Sequence, residues 1–194
     1  MNSVLMHMAD GLISVNIGVI FMIISFIMIG FSIKKINQEH DDRKIPLMGV
    51  MGAFIFAAQM INFTIPGTGS SGHIGGGILL CLILGQYPAF LSLCSVLIIQ
   101  CLFFGDGGLL ALGCNIFNMG ILPCFVAYPL IVKPLLKKNI TSSRVLLASI
   151  LGVVVGLEMG AFAVVLQTLA SNITELPFTS FVVLMLSLIH ISEP

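Results

Sequence analysis

The chain has 194 residues, of which 58% are hydrophobic and only 8% are charged. Soluble globular proteins carry about 25% charged residues, so this composition excludes a water-soluble enzyme. Eight Lys and Arg residues balance eight Asp and Glu residues, and a neutral total offers no argument for a nucleic-acid partner.

Apolar segments long enough to cross a bilayer recur along the chain. A helix that crosses a hydrocarbon core about 30 Å thick needs about 20 apolar residues. The sequence predicts seven such segments, of which the third and seventh are short: 12–33, 45–62, 74–85, 88–104, 109–132, 144–170 and 178–191. The predicted fold class is therefore all-α, a polytopic transmembrane helical bundle of six to seven spans with a truncated last span.

We expect one membrane domain over residues 1–194. Residues 1–11 form an extracytoplasmic N-terminal segment, residues 12–191 hold the transmembrane helices, and residues 192–194 are a tail foreign to the bundle. The first apolar segment lacks a basic flank and a small-residue cleavage site, which favours a retained helix over a signal peptide. The five cysteines lie within apolar segments and include no Cys-x-x-Cys pattern, which predicts small buried side chains and no disulfide framework.

The basic residues indicate the orientation of the chain. Four follow the first predicted span and four follow the fifth: Lys34, Lys35, Arg43, Lys44, Lys133, Lys137, Lys138 and Arg144. The positive-inside rule places such loops in the cytoplasm, and four crossings between them return the chain to the same side. The N-terminal segment and the loops 63–73, 105–108 and 171–177 then face outward.

Two of the four histidines fall in these outward segments. His7 lies in the run Met-His-Met-Ala-Asp-Gly at residues 6–11, and His73 ends a stretch rich in Gly and Pro. Irregular backbone at membrane depth is tolerated where it is buried in protein or lines a cavity, so a metal site between the two rings is one interpretation. A surface position or a structural hydrogen bond is the commoner role of a loop histidine, and the pattern leaves both open.

Other polar residues allow a structural and a functional interpretation. The turn 105–108 presents Asp106 to local amides, and Asn115 with Asn118 is typical of amides that hold membrane helices together. Glu158 is the one ionisable residue deep in an apolar span, where a carboxylate is a candidate for a transport pathway or a partnered structural site.

The sixth span carries a stripe of small residues at four-residue spacing: Ala148, Gly152, Gly156 and Gly160. This spacing places the four side chains on one helix face and permits close helix packing. Packing within the chain is the favoured interpretation, and a docking face for a partner subunit is the alternative.

Three stretches give the chain a specific resemblance to a known family. The first stretch is residues 6–11. The second is the run Asn-Phe-Thr-Ile-Pro-Gly at 62–67, which continues through Ser-Gly-His at 71–73 to the glycines at 76–77. The third is residues 104–115, Phe-Gly-Asp-Gly-Gly-Leu-Leu-Ala-Leu-Gly-Cys-Asn. In this order they resemble the CbiM/NikM family, the substrate-binding membrane subunits of energy-coupling-factor (ECF) transporters for cobalt and nickel. The likeness covers nearly the whole chain.

The resemblance implies a metal site built from nitrogen ligands. In that family the ligands are the amine of the initiating Met, the amide nitrogen and imidazole of the next His, and a second His in the Ser-Gly-His loop. These map onto Met6, His7 and His73. A planar nitrogen set favours Ni²⁺ or Cu²⁺ over Mg²⁺ and Ca²⁺, and the choice between Co²⁺ and Ni²⁺ stays open. Asp10 and Asn115 are candidates for orienting the imidazoles by hydrogen bonds.

Five residues precede Met6 in this chain. An amine ligand at Met6 requires a free terminus there, because an internal Met offers only an amide. We therefore expect translation to start at Met6 or processing to expose it.

The resemblance implies the substrate-capture subunit of an ECF-type ABC importer for Co²⁺ or Ni²⁺, linked to cobalamin biosynthesis, in a prokaryotic inner membrane. Such a protein is not an enzyme and has no catalytic cofactor. The sequence has no P-loop, so ATP hydrolysis is expected in partner ATPase subunits, joined by a coupling membrane subunit and often a small accessory membrane protein. A proton-coupled secondary transporter that uses Glu158 is the alternative, and a purely structural anchor would need neither histidine.

Overall fold

The structure, a computed structural model, describes residues 7–39, 41, 43–65, 70–137, 140–173, 179–180, 182–183 and 186. Its main helices are α1 (Val15–Glu39), α2 (Lys44–Gln59), α3 (Gly77–Leu84), α4 (Gln86–Phe104), α5 (Leu112–Ile116), α6 (Lys133–Lys137) and α7 (Ser142–Ala170). A 3-10 turn at Asp10–Leu12 precedes α1, and a π-helical segment (Phe117–Val132) joins α5 to α6.

Within the described ranges, four helical runs are long and apolar enough to cross a membrane: Val15–Glu39, Gln86–Phe104, Leu112–Lys137 and Ser142–Ala170. The predicted class of multi-pass helical membrane protein is thereby confirmed. Helix α2 has 16 residues and α3 has eight, so both are shorter than the second and third predicted spans. The predicted seventh span at 178–191 lies mostly outside the described residues.

Gly85 separates α3 from α4. Its backbone has φ 86° and ψ 165°, a conformation that glycine adopts without the steric cost of a side chain. Pro88 follows in the first turn of α4, where a missing amide proton breaks no helical hydrogen bond. The prediction of two helices in place of one long helix is therefore confirmed.

An antiparallel hairpin connects α2 to α3, where the sequence predicted irregular backbone. Strand β1 (Asn62–Ile65) pairs with β2 (Ser70–His73), and this register places Asn62 opposite His73. The hairpin thus returns the chain to the end of α2 and leaves His73 at its base. Strand β1 alternates polar and apolar residues over only four positions, and β2 contains no apolar residue, so the alternation that identifies strands in a sequence is too short to stand out.

The core lies around α4, whose Phe90, Leu93 and Leu97 are buried. Helices α1 and α5 cross in direct backbone contact, because a Cβ added at Gly113 would overlap the backbone of Met22. Such an approach requires a residue without a side chain. The five cysteines are all buried and unbridged, as predicted.

The small-residue stripe of α7 packs inside the chain. Its face meets the π-helical segment: a Cβ at Gly156 would lie 3.6 Å from Pro123, and one at Gly160 would lie 3.0 Å from the carbonyl oxygen of Asn118. The favoured interpretation of internal packing is confirmed. A neighbouring segment of the same chain thus covers the helix face that carries these glycines. The alternative of a partner-docking face is not supported.

Candidate metal centre

Four segments bring polar side chains to one end of the bundle. His7 precedes α1, His73 ends the hairpin that follows α2, Asp106 follows α4, and Asn115 lies in α5. The basic residues Lys34, Lys35 and Lys44 lie at the opposite ends of α1 and α2. The polar cluster and the basic residues therefore occupy opposite ends of these two helices.

The rings of His7 and His73 lie side by side, with centroids 4.7 Å apart and planes at 62°. His7 is only 3% exposed, although 66 positions separate the two residues in the sequence. The expectation that the two rings converge is confirmed. Their service as ligands to one ion stays a prediction.

The spacing of the rings suits two imidazoles on adjacent corners of one coordination plane. With metal–nitrogen bonds of about 2 Å, each ring centroid lies about 3 Å from the ion, and a right angle between the bonds separates the centroids by about 4.5 Å. The observed 4.7 Å is close to this value. Opposite corners would require a separation of about 6 Å on the same basis.

The ring nitrogens of the two histidines differ in their surroundings. Nδ1 of His73 lies 3.1 Å from the carbonyl oxygen of Ile74. A carbonyl only accepts, so Nδ1 carries the proton and Nε2 keeps its lone pair. Nε2 of His7 is buried and has no hydrogen-bond partner among the described residues.

Asp106 holds His7 at two points. Its Oδ1 accepts a hydrogen bond from the His7 backbone N–H at 2.9 Å, and its Oδ2 lies 2.8 Å from His7 Nδ1. The second contact is close but is not an aligned hydrogen bond. The sequence predicted only a turn with local bonds for Asp106, whereas its carboxylate reaches a residue 99 positions away. The one available signal was its place within the 104–115 stretch that carries the family resemblance.

Two glycines shape the turn that presents Asp106. Gly105 and Gly107 have φ 64° and 74°, in the left-handed region that glycine enters without strain. The amides of Gly105 and Asp106 both donate to the carbonyl of Gln100 near the end of α4. A Cβ at Gly107 would lie 3.0 Å from His7 Cβ, so the turn and the N-terminal segment are in close contact.

Asn115 and Asp10 fasten the N-terminal segment through the main chain. The Asn115 amide accepts from the Met8 N–H and donates to the Met8 carbonyl, each at 3.3 Å. Asp10 Oδ1 accepts from the Ala111 N–H at 2.8 Å. Both residues were predicted to orient the imidazoles. Their hydrogen bonds instead orient the backbone that carries His7, because that segment enters the bundle as extended chain with unpaired amides.

Protein surrounds the His73 ring and lowers its pKa to about 4 from the usual 6.5, mainly through lost solvation. The neighbouring His7 ring acts in the same direction, while the Ile74 carbonyl and Asp106 oppose the shift. The residue itself stays partly accessible to solvent. His73 is thus a neutral imidazole at physiological pH, the form that binds metal ions.

Met6 lies outside the described residues. Within the described part of the chain, no three side chains of His, Cys, Asp or Glu form a ready-made metal cage. Glu158 is partly buried in α7.

Comparison with known proteins gives a consistent match. Residues 7–192 match the family model CbiM, described as the cobalt uptake substrate-specific transmembrane region. The cobalt transport protein CbiM of Acetoanaerobium sticklandii is 38% identical over 149 residues, which cover 75% of this chain and 60% of that protein. A relative from Archaeoglobus fulgidus, a NikMN protein by name, is 44% identical over 123 residues, which cover 63% of this chain and 40% of that protein.

A solved structure is also similar. The crystal structure of a truncated transition metal transporter superposes with a TM-score of 0.83 at 30% identity, covering 94% of this chain and 88% of that one. The match to the two sequence relatives spans less than two thirds of either relative's length.

Proposed function

The chain belongs to the CbiM family of cobalt-uptake transmembrane proteins, and from this premise we propose that it is the substrate-capture subunit of an ECF-type importer for Co²⁺ or Ni²⁺. The relatives are transport proteins for cobalt or nickel by name, and the chain is a multi-pass membrane protein of that kind. The observation that carries the proposal is the contact between the His7 and His73 rings, 4.7 Å apart.

The proposed ligands are the amine of Met6, the amide nitrogen and Nδ1 of His7, and Nε2 of His73. Amine and amide close a five-membered chelate ring, and amide and Nδ1 close a six-membered ring. These three occupy successive corners of a plane, so His73 takes the corner next to the His7 ring. The ring spacing supports this arrangement, and planar nitrogen ligation suits Ni²⁺.

Asp106 is the group that the entering ion displaces. Its two oxygens lie 2.9 Å from the His7 amide nitrogen and 2.8 Å from Nδ1, which are the two nitrogens of the six-membered chelate. An ion bound to both takes the place of the amide proton, which is released to solvent, and displaces the carboxylate from that edge. Asp106 thus holds His7 in a binding-ready conformation before capture and leaves a negative charge beside the bound dication.

The site faces the extracytoplasmic side in this proposal. The basic residues lie at the other ends of the same helices, and the positive-inside rule assigns those ends to the cytoplasm. Six to seven spans in a prokaryotic inner membrane then carry the chain. Partner ATPases, a coupling membrane subunit and a small accessory membrane protein complete the transporter, with the lipid bilayer as surroundings.

Metal titration of the purified protein tests the proposal. The protein beginning at Met6 should bind one Ni²⁺ or Co²⁺ ion, and His7→Ala and His73→Ala should each abolish measurable binding, with His40→Ala as the control. N-terminal sequencing of protein isolated from membranes should show Met6 first. Equal binding by all three variants, or transport by the chain on its own driven by a proton gradient, would contradict the proposal.

A further inference from the structure

We propose that Gln59 and Gln100 form a buried positioning pair that sets the distance between the two histidine-bearing segments. The pair connects the base of the β-hairpin to the turn that presents Asp106. This inference rests on the proposed metal site, although its first observable, the spacing of His7 and His73, exists without metal.

A continuous chain of hydrogen bonds runs between the two halves of the site. Gln59 Nε2 donates to the carbonyl of Gly75 at 3.2 Å, two residues beyond His73. Gln100 Nε2 donates to Gln59 Oε1 at 3.1 Å. The Gln100 carbonyl in turn accepts the amide of Asp106 at 3.1 Å, and the Asp106 carboxylate holds His7.

The position of each glutamine explains its effect. Gln59 is the last residue of α2, three positions before the hairpin begins at Asn62, and its bond to Gly75 closes the hairpin at its base. Gln100 lies one turn before the end of α4, so its side chain and its carbonyl make their hydrogen bonds at the same depth in the bundle. A shift of either residue moves the hairpin relative to the Asp106 turn.

Stability is a poor explanation for this pair. Gln59 and Gln100 are both completely buried, and Gln100 Oε1 has no hydrogen-bond partner in the described part of the chain. Burying an unsatisfied acceptor costs stability, whereas replacing both partners by apolar groups of the same shape is nearly neutral. Because the pair adds little to the stability of the fold, the geometry that it imposes explains it better.

The double variant Gln59→Met/Gln100→Met tests the inference, since Met keeps the volume and removes the amides. We expect the Ni²⁺ affinity to fall about tenfold, as for other groups that position metal ligands. The absorption band of planar Ni²⁺ should also weaken. The melting temperature of the metal-free protein should stay near the parent value. Unchanged affinity and spectrum would overturn the proposal.

The chain offers a matched control pair. Asn118 and Gln167 are also buried and bond each other at 2.8 and 2.9 Å, but these bonds join the π-helical segment to α7. The double variant Asn118→Leu/Gln167→Met should leave Ni²⁺ affinity within about twofold. An equal loss of affinity in both double variants would show a general packing effect and overturn the proposal.

A metal-free measurement separates this inference from the proposed function. Cysteines introduced as His7→Cys and His73→Cys should react with a short bis-methanethiosulfonate reagent to form a cross-link. The rate should fall several-fold in the Gln59→Met/Gln100→Met background and stay unchanged in the control background. An unchanged rate overturns the positioning role even if metal binds. A slowed rate supports that role even if the parent protein binds no Ni²⁺, which would refute only the proposed function.

Discussion

Replacing Asn115 with Leu should release the segment that carries His7. The Asn115 side chain makes two hydrogen bonds to the Met8 backbone, each at 3.3 Å, and Met8 is only 1% exposed. Leu keeps the branched shape of the side chain but removes both bonds. The Met8 N–H and carbonyl are buried, so the substitution removes a hydrogen-bond partner from each of them.

The size of the effect follows from those two bonds. A typical intramolecular hydrogen bond contributes about 1 kcal/mol net, and the two together contribute about 2 kcal/mol. A loss of that size raises the opening equilibrium of the segment about 30-fold. The bonds that the His7 N–H donates to Asp106 and the Ala111 N–H donates to Asp10 remain, so the segment still docks for most of the time.

Hydrogen exchange at the His7 amide is the appropriate assay. This amide donates to Asp106 and not to Asn115, so it reports docking of the segment and not the removed bond itself. In the metal-free protein, Asn115→Leu should speed its exchange about 30-fold, in line with the opening equilibrium.

Asn118→Leu is the control, because Asn118 is equally buried and bonds Gln167. It should leave exchange at His7 within about twofold. Equal exchange in both variants would refute the clamp between Asn115 and Met8.

Three further predictions follow from other contacts. Gly107→Ala places a Cβ against His7 at a residue with φ 74°. The substitution should cost about 1–2 kcal/mol of backbone strain and lower both the melting temperature and the Ni²⁺ affinity. An unaltered affinity would contradict the close contact. His73 in the metal-free protein should titrate near pH 4 by NMR. Because this pKa is below its usual 6.5, the stabilisation from the neutral ring is complete above pH 6.5 and is lost as the pH falls through about 4. Titration near 6.5 would instead show a solvated ring. Gly113→Val should destabilise the fold by about 1–3 kcal/mol through overpacking, since its side chain would overlap the Met22 backbone, and a melting temperature equal to the parent would refute that crossing.

The long apolar helices were predictable from the sequence because burial in a bilayer selects a single residue class. Helices α4 and α7 begin within two residues of the predicted positions and end at the predicted ones. Helix α1 continues to Glu39, six residues past the predicted end, because its last turns are polar and hydrophobicity does not report them. The hairpin was missed because β1 alternates over only four residues and β2 contains no apolar residue, which is too short a pattern to identify strands.

The two histidines of the site could be predicted from the sequence, whereas the residues that hold them in place could not. His7 and His73 stood out because histidine is scarce and both lie in segments that are predicted to face outward and that resemble a known family. The contact from Asp106 to His7 and the bond between Gln59 and Gln100 join residues 99 and 41 positions apart. Such pairs depend on how the helices pack, and amide or carboxylate residues carry no periodic pattern that would identify their partners.

X-ray absorption of the protein that begins at Met6 and is loaded with one Ni²⁺ ion identifies the ligands of the bound ion. We expect four nitrogen ligands around the ion, with outer-shell scattering from two imidazole rings. Any metal that His73→Ala retains should lack the scattering of one ring. A six-ligand shell dominated by oxygen, with no imidazole scattering, would contradict capture of the ion by His7 and His73.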